Sequence, residues 1–97
     1  MVLRMFSIYD TKSKVYIPPM FYHNEGHAMR SILDRALQDQ NGMLAKFPAD
    51  FKIFEVGEYD DSTCEINGHV NPTYICTVED LISNHNSGLG VSSDEND

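Results

Sequence analysis

No tryptophan, only two cysteines, and no lysine or arginine beyond Lys52: these shortages bound the chain before any motif is read. Cys64 and Cys76 are too few for the disulfide framework of small secreted domains, and in a reducing compartment they are expected to stay free thiols. No apolar run approaches the roughly 20 residues that cross a bilayer. Met1 to Phe6 lacks the long apolar core and cleavage site of a secretory signal. These absences together lead us to expect a soluble, cytoplasmic protein.

The missing bases matter most. All seven Lys and Arg lie within residues 1–52, against five acids, while residues 53–97 hold ten acids and no base. The net charge of −8 is therefore carried by the C-terminal half. Such polarity suits a chain that offers a weakly basic face to one partner and an acidic face to another.

Ninety-seven residues make one domain at most. The last stretch is rich in Ser, Asn, Gly and acid. It has too little apolar surface to offset the entropy of ordering it, so residues 1–83 read as a single domain and 84–97 as a disordered acidic tail. A core of about 80 residues is thin, and a second copy often completes such a core, so a homo-oligomer is expected.

Leu3 to Tyr9 alternates as a strand, with Leu3, Met5, Ser7 and Tyr9 on one face and Arg4, Phe6 and Ile8 on the other. Both faces are mostly apolar, which predicts a central strand. Asp10 to Lys14 is turn chemistry, Val15 to Ile17 can return as a hairpin, and Pro18-Pro19 ends it for want of amide hydrogens. The clearest element is a helix over Glu25 to Asp39, capped by Asn24 and stopped by Asn41-Gly42 with Gly42 near C′. Its stripe of Ala28, Met29, Ile32, Leu33, Ala36 and Leu37 predicts packing on a sheet. Met29, Ile32, Leu33 and Leu37 are expected to meet Phe6, Ile8, Phe54 and Val56. On the wet face Arg30 and Asp34 are spaced to pair.

Phe51 to Tyr59 is the second strong strand, with Gly57 marking a bulge or a close backbone approach. Asp60-Asp61-Ser62 turns the chain and Thr63 to Ile66 returns. Asn67-Gly68 reads as a further turn, followed by a short strand at Tyr74 to Cys76. Thr77 and Asp80 form a capping box for a short helix, Val78 to Ser83. The fold class is α+β: a small, mostly antiparallel sheet with one main helix packed on it and a short second helix.

Chemistry-bearing constellations are sparse. His23, His27, Cys64 and Cys76 could in principle bind zinc, but paired Cys ligands usually sit two to four residues apart. Nothing around either Cys resembles an activated nucleophile. The acids around Asp60-Asp61 do not match a calcium loop. We expect no enzyme activity, no metal and no cofactor. Nucleic acid is the remaining candidate. Lys12, Lys14 and Tyr16 on a hairpin tip, with Arg30 and Arg35 of the helix, combine phosphate contacts with a stacking ring, although net acidity opposes phosphate binding.

The segment Lys46-Phe47-Pro48-Ala49-Asp50-Phe51-Lys52-Ile53-Phe54-Glu55-Val56-Gly57-Glu58-Tyr59-Asp60-Asp61-Ser62-Thr63 resembles the signature of the small nonstructural protein of gokushoviruses, single-stranded DNA phages of the Microviridae. The strand ending in Tyr9-Asp10, the aromatics before the helix and Ala28-Met29-Arg30 within it agree as well, so the resemblance covers residues 3–66. Cys64 departs from the Gly often found after the Asp-Asp turn. The resemblance implies a non-enzymatic phage accessory protein of the host bacterial cytoplasm, binding single-stranded DNA or acting in replication and packaging. The alternative is an acidic protein–protein interaction module that binds a host or phage protein.

Overall fold

The computed structural model of the chain describes residues 1–87. Most of the acidic stretch expected to be a tail, residues 88–97, lies outside the described residues.

The sheet is antiparallel throughout. Strand β1 (Val2–Asp10) lies at its centre, as the two apolar faces predict, with β4 (Phe51–Asp60) on one side. Its other side is shared by two short strands, β2 (Val15–Tyr16) and β3 (Met20–Tyr22), which pair with opposite ends of β1. Pro18-Pro19 separates them, because neither proline can donate to the ladder. Strand β5 (Glu65–Thr77) closes the far edge against β4.

Helix α1 (Glu25–Gln38) begins where Asn24 accepts from the His27 amide at 2.8 Å. It stops one residue short of Asp39. Gly42 is not its C′ residue: it precedes the short helix α2 (Met43–Lys46), and a Cβ on it would meet the Asp39 carboxylate at 2.6 Å. A 3-10 turn at Pro48–Asp50 feeds β4. Helix α3 (Val78–Asn86) carries the expected capping box, with Thr77 and Asp80 exchanging bonds of 3.0 Å. It runs three residues further than its apolar content suggests.

Both longer helices cover one face of the sheet. Ile8, Ile32, Ala36, Phe51, Ile53 and Val78 form the buried core, flanked by Met29, Leu81, Ile82 and Cys76. Burial and the Asp80 carboxylate push the Cys76 thiol up to about 11, so it is a protonated packing group against the Met29 sulfur at 3.8 Å. Leu33 and Leu37 are only half-buried and line an open groove with His27, Arg30 and His85. Asp34 accepts from Gln38 rather than pairing with Arg30.

Three irregularities shape the sheet, the smallest being Ile75, an extra residue of β5 between the pairs Ile53–Cys76 and Phe54–Tyr74. Between β1 and β4, Val56 is the extra residue of a bulge, which returns Gly57 opposite Met5. Between β4 and β5, Glu55 pairs with Thr73 and Gly57 with Gly68, so His69–Pro72 stands opposite Val56 alone. Asn67-Gly68 is therefore not a turn but part of β5. At Gly57 a Cβ would sit 2.5 Å from the Asn67 carbonyl oxygen, so only glycine admits this approach.

The displaced segment is held from beneath. Glu55 accepts from Arg4 and lies 3.0 Å from the His69 ring nitrogen. Burial alone would raise the Glu55 carboxyl, but the bonds to Arg4 and His69 outweigh it and hold it below its ordinary value. The Arg4 guanidinium is itself stabilised by Glu55 and stacks 5.6 Å from the Phe6 ring.

Candidate nucleic-acid interface

Strand alternation puts Ser7, Tyr9 and Phe54 on the face opposite the helices, and the extra residue Ile75 in β5 brings Tyr74 to it beside Phe54. Phe54 and Val56, expected to meet α1, belong to this face too, because Phe54 pairs with Ser7 and Tyr74 rather than standing in line with Ile8 and Ile53. Among the described residues no helix lies over it. Four rings instead form a continuous cluster. Tyr9 and Tyr16 have centroids 4.6 Å apart, and Phe54 meets both Tyr16 and Tyr74 edge-on at 5.6 Å. Tyr16 is 46% exposed and Tyr74 51%. A second pair, Phe21 and Tyr59 at 5.4 Å, extends the aromatic surface beside Met5.

Lys52 pairs in register with Tyr9 and shares this face. Lys12 and Lys14 are exposed in the adjoining β1–β2 turn. In that turn the Asp10 carboxylate accepts from the Lys12 amide at 2.9 Å, and Lys14 takes a positive φ of 62°. The amide of Lys12 foremost holds the Asp10 carboxyl below its ordinary value. The β4–β5 turn repeats the device with opposite charge. Asp60 accepts from the Ser62 amide at 2.9 Å, and Cys64 takes a φ of 64°. This explains why glycine suits the Cys64 position. Because β1 and β4 are antiparallel, the two turns lie at opposite ends of the sheet, lysines at one and Asp60, Asp61 and Glu65 at the other.

Of the five residues singled out from sequence for nucleic acid, the structure groups Lys12, Lys14 and Tyr16. It does not bring Arg30 and Arg35 to them. Both are exposed on α1, in the layer that covers the other face, and Arg35 reaches the Met20 sulfur at 3.3 Å. Tyr9, Phe54, Tyr74 and Lys52 complete the surface. Tyr9 follows from the local hairpin, where it pairs with Tyr16, but only the register brings Phe54, Tyr74 and Lys52 to it, since in sequence they lie inside strands that also feed the core.

The two-His, two-Cys set does not converge. His23 and His27 stack at 6.3 Å near the α1 start, Cys64 is exposed at the β4–β5 turn, and Cys76 packs on Met29. Among the described residues no group of three or more His, Cys, Asp or Glu side chains gathers as a metal site. Nor is any helix among them long and apolar enough to cross a membrane.

An antiparallel sheet with helices on one face and aromatic rings on the other defines a small α+β module. Residues 3–81, most of the chain, match the family described as Phage ORF5 protein, and the chain belongs to that family. It is thus a phage accessory protein. Among curated proteins and among solved structures, none matches it.

Proposed function

We propose that this phage protein is a non-enzymatic accessory factor of a Microviridae phage, acting in the host bacterial cytoplasm by binding single-stranded DNA during genome replication or packaging. The observation that carries the reading is the ring cluster Tyr9–Tyr16–Phe54–Tyr74, exposed at Tyr16 and Tyr74 and bordered by Lys12, Lys14 and Lys52. Unpaired bases stack on such rings without sequence preference, while basic side chains track the phosphates. The resemblance of residues 46–63 to the gokushovirus signature points the same way. The proposed role needs no cofactor.

Three lysine contacts to phosphate predict a logarithmic salt slope of about −2 on a single strand. Tyr74→Ala should weaken binding of a labelled oligonucleotide at least about fivefold, the loss of one stacking platform. Arg30→Gln with Arg35→Gln should leave it within about twofold, because both arginines belong to the other layer. Fluorescence anisotropy at low salt reads all of these. No binding at about 50 mM salt and roughly 100 µM protein sinks the reading. It would leave an acidic interaction module in front, for which the groove beside the half-buried Leu33 and Leu37 is the place to look.

A further inference from the structure

At the middle of the aromatic face lies a slot of about 250 Å³, walled by Pro19 and Pro72 and lined by Ser7, Tyr16, Ile17 and Val56. At roughly 30 Å³ per water it would hold about eight waters, the scale of one nucleobase. Its lining is apolar but for the hydroxyls of Ser7 and Tyr16. The Ser7 side chain is 2% exposed, and its hydroxyl already donates to the Ile17 carbonyl at 2.8 Å. Ser7 is thus committed, and the Tyr16 phenol is the one other polar group among the lining side chains. Tyr16 belongs both to the slot wall and to the ring cluster, so a strand stacked on the rings brings a neighbouring base to the mouth.

Resting on the single-stranded DNA reading, we propose that this slot takes one pyrimidine by its C5–C6 edge and selects the 5-methyl group of thymine. The hydrogen-bonding edge of the base stays at the open mouth, in water, because burying it unpaired is costly. The methyl enters the apolar wall and gains the free energy of removing one such group from water. Selection then depends on the methyl and not on the exocyclic amine, so 5-methylcytosine should behave as thymine does.

The test is anisotropy with labelled decamers of thymidine, deoxyuridine, deoxycytidine and 5-methyldeoxycytidine on the full chain. Deoxyuridine and deoxycytidine should each bind about three- to fourfold more weakly than thymidine, and 5-methyldeoxycytidine should recover that loss. Val56→Thr, close in shape but polar, should remove the difference between thymidine and deoxyuridine. Where circular dichroism shows that variant unfolded, Pro72→Ala, which opens a wall, takes its place. Equal binding of thymidine and deoxyuridine by the wild type overturns the slot while leaving the stacking face intact. So does a difference that survives in a folded variant. Absence of binding to all four decamers overturns the slot and the DNA reading together.

Discussion

Single positions carry much of this fold. Gly57 sits where β5 closely approaches β4, with the Asn67 carbonyl oxygen 2.5 Å from where a Cβ would stand. Gly57→Ala must push two backbones apart, and we expect a loss of about 2–3 kcal/mol, as for overpacked cores. Gly68→Ala, on the partner strand, meets only the Val56 carbonyl at 4.0 Å and should cost under about 1 kcal/mol. Urea melts of the two variants compare them directly, and equal losses would show that the approach is not tight. Cys64 presents the reverse case, a side chain in the left-handed region. Cys64→Gly should stabilise by about 0.5–1 kcal/mol, the relief of strain less the added freedom of the unfolded chain. An unchanged or lower melting temperature would show that the turn holds Cys64 without strain.

Among the elements, α1 shows how far periodicity reaches. Its extent, its Asn24 cap and the burial of Ala28, Ile32 and Ala36 follow from spacing, but an apolar stripe this wide cannot say which edge goes deepest. The structure buries Ile32 and leaves Leu33 at the groove. Ile32→Ala should therefore cost about 2–5 kcal/mol, and Leu33→Ala only about 1 kcal/mol. Parity in β1 was legible too. The helix-facing side of β1, Phe6 and Ile8, follows from the sequence; what it does not reveal is the register of β4, which stands Ile53 and not Phe54 beside Ile8 and so leaves Phe54 on the other face. In β5 the Asn67-Gly68 pair imitates a turn, since its real role, allowing the approach to Gly57, depends on a partner ten residues earlier. The candidate surface was half visible: Lys12, Lys14 and Tyr16 are close in sequence, whereas Lys52, Phe54 and Tyr74 join them only through pairing. Across these strands runs the Arg4–Glu55–His69 cluster. Because Glu55 is held below its ordinary value of 4.5, the unfolded chain takes up the proton first as pH falls. The stability Glu55 contributes is thus whole above about 4.5 and is lost progressively below it. Melting temperature should drop on acidification through that window, and Glu55→Gln should lower stability at neutral pH while flattening the acid limb. A wild-type acid limb that Glu55→Gln leaves unaltered would assign acid sensitivity to other carboxylates.

At the scale of the whole molecule, the matched Asp turns give the open face a positive and a negative end, although the chain as a whole is acidic. Replacing Lys12, Lys14 and Lys52 together with Gln should abolish the salt dependence of strand binding while leaving the fold intact, because all three are exposed. A preserved slope near −2 would move the phosphate path elsewhere. The rims of the sheet have a different consequence. One rim is broken where Pro18-Pro19 parts β2 from β3, and the other is thrown out of line at His69–Pro72, where Val70 stands 96% exposed. A sheet with one naked face is prone to stack and fuse with its neighbours, rim to rim, into fibrils. Among the described residues neither rim presents the long, even row of amides and carbonyls that such fusion copies. Contact between copies of such a sheet is thereby steered to faces rather than to added strands.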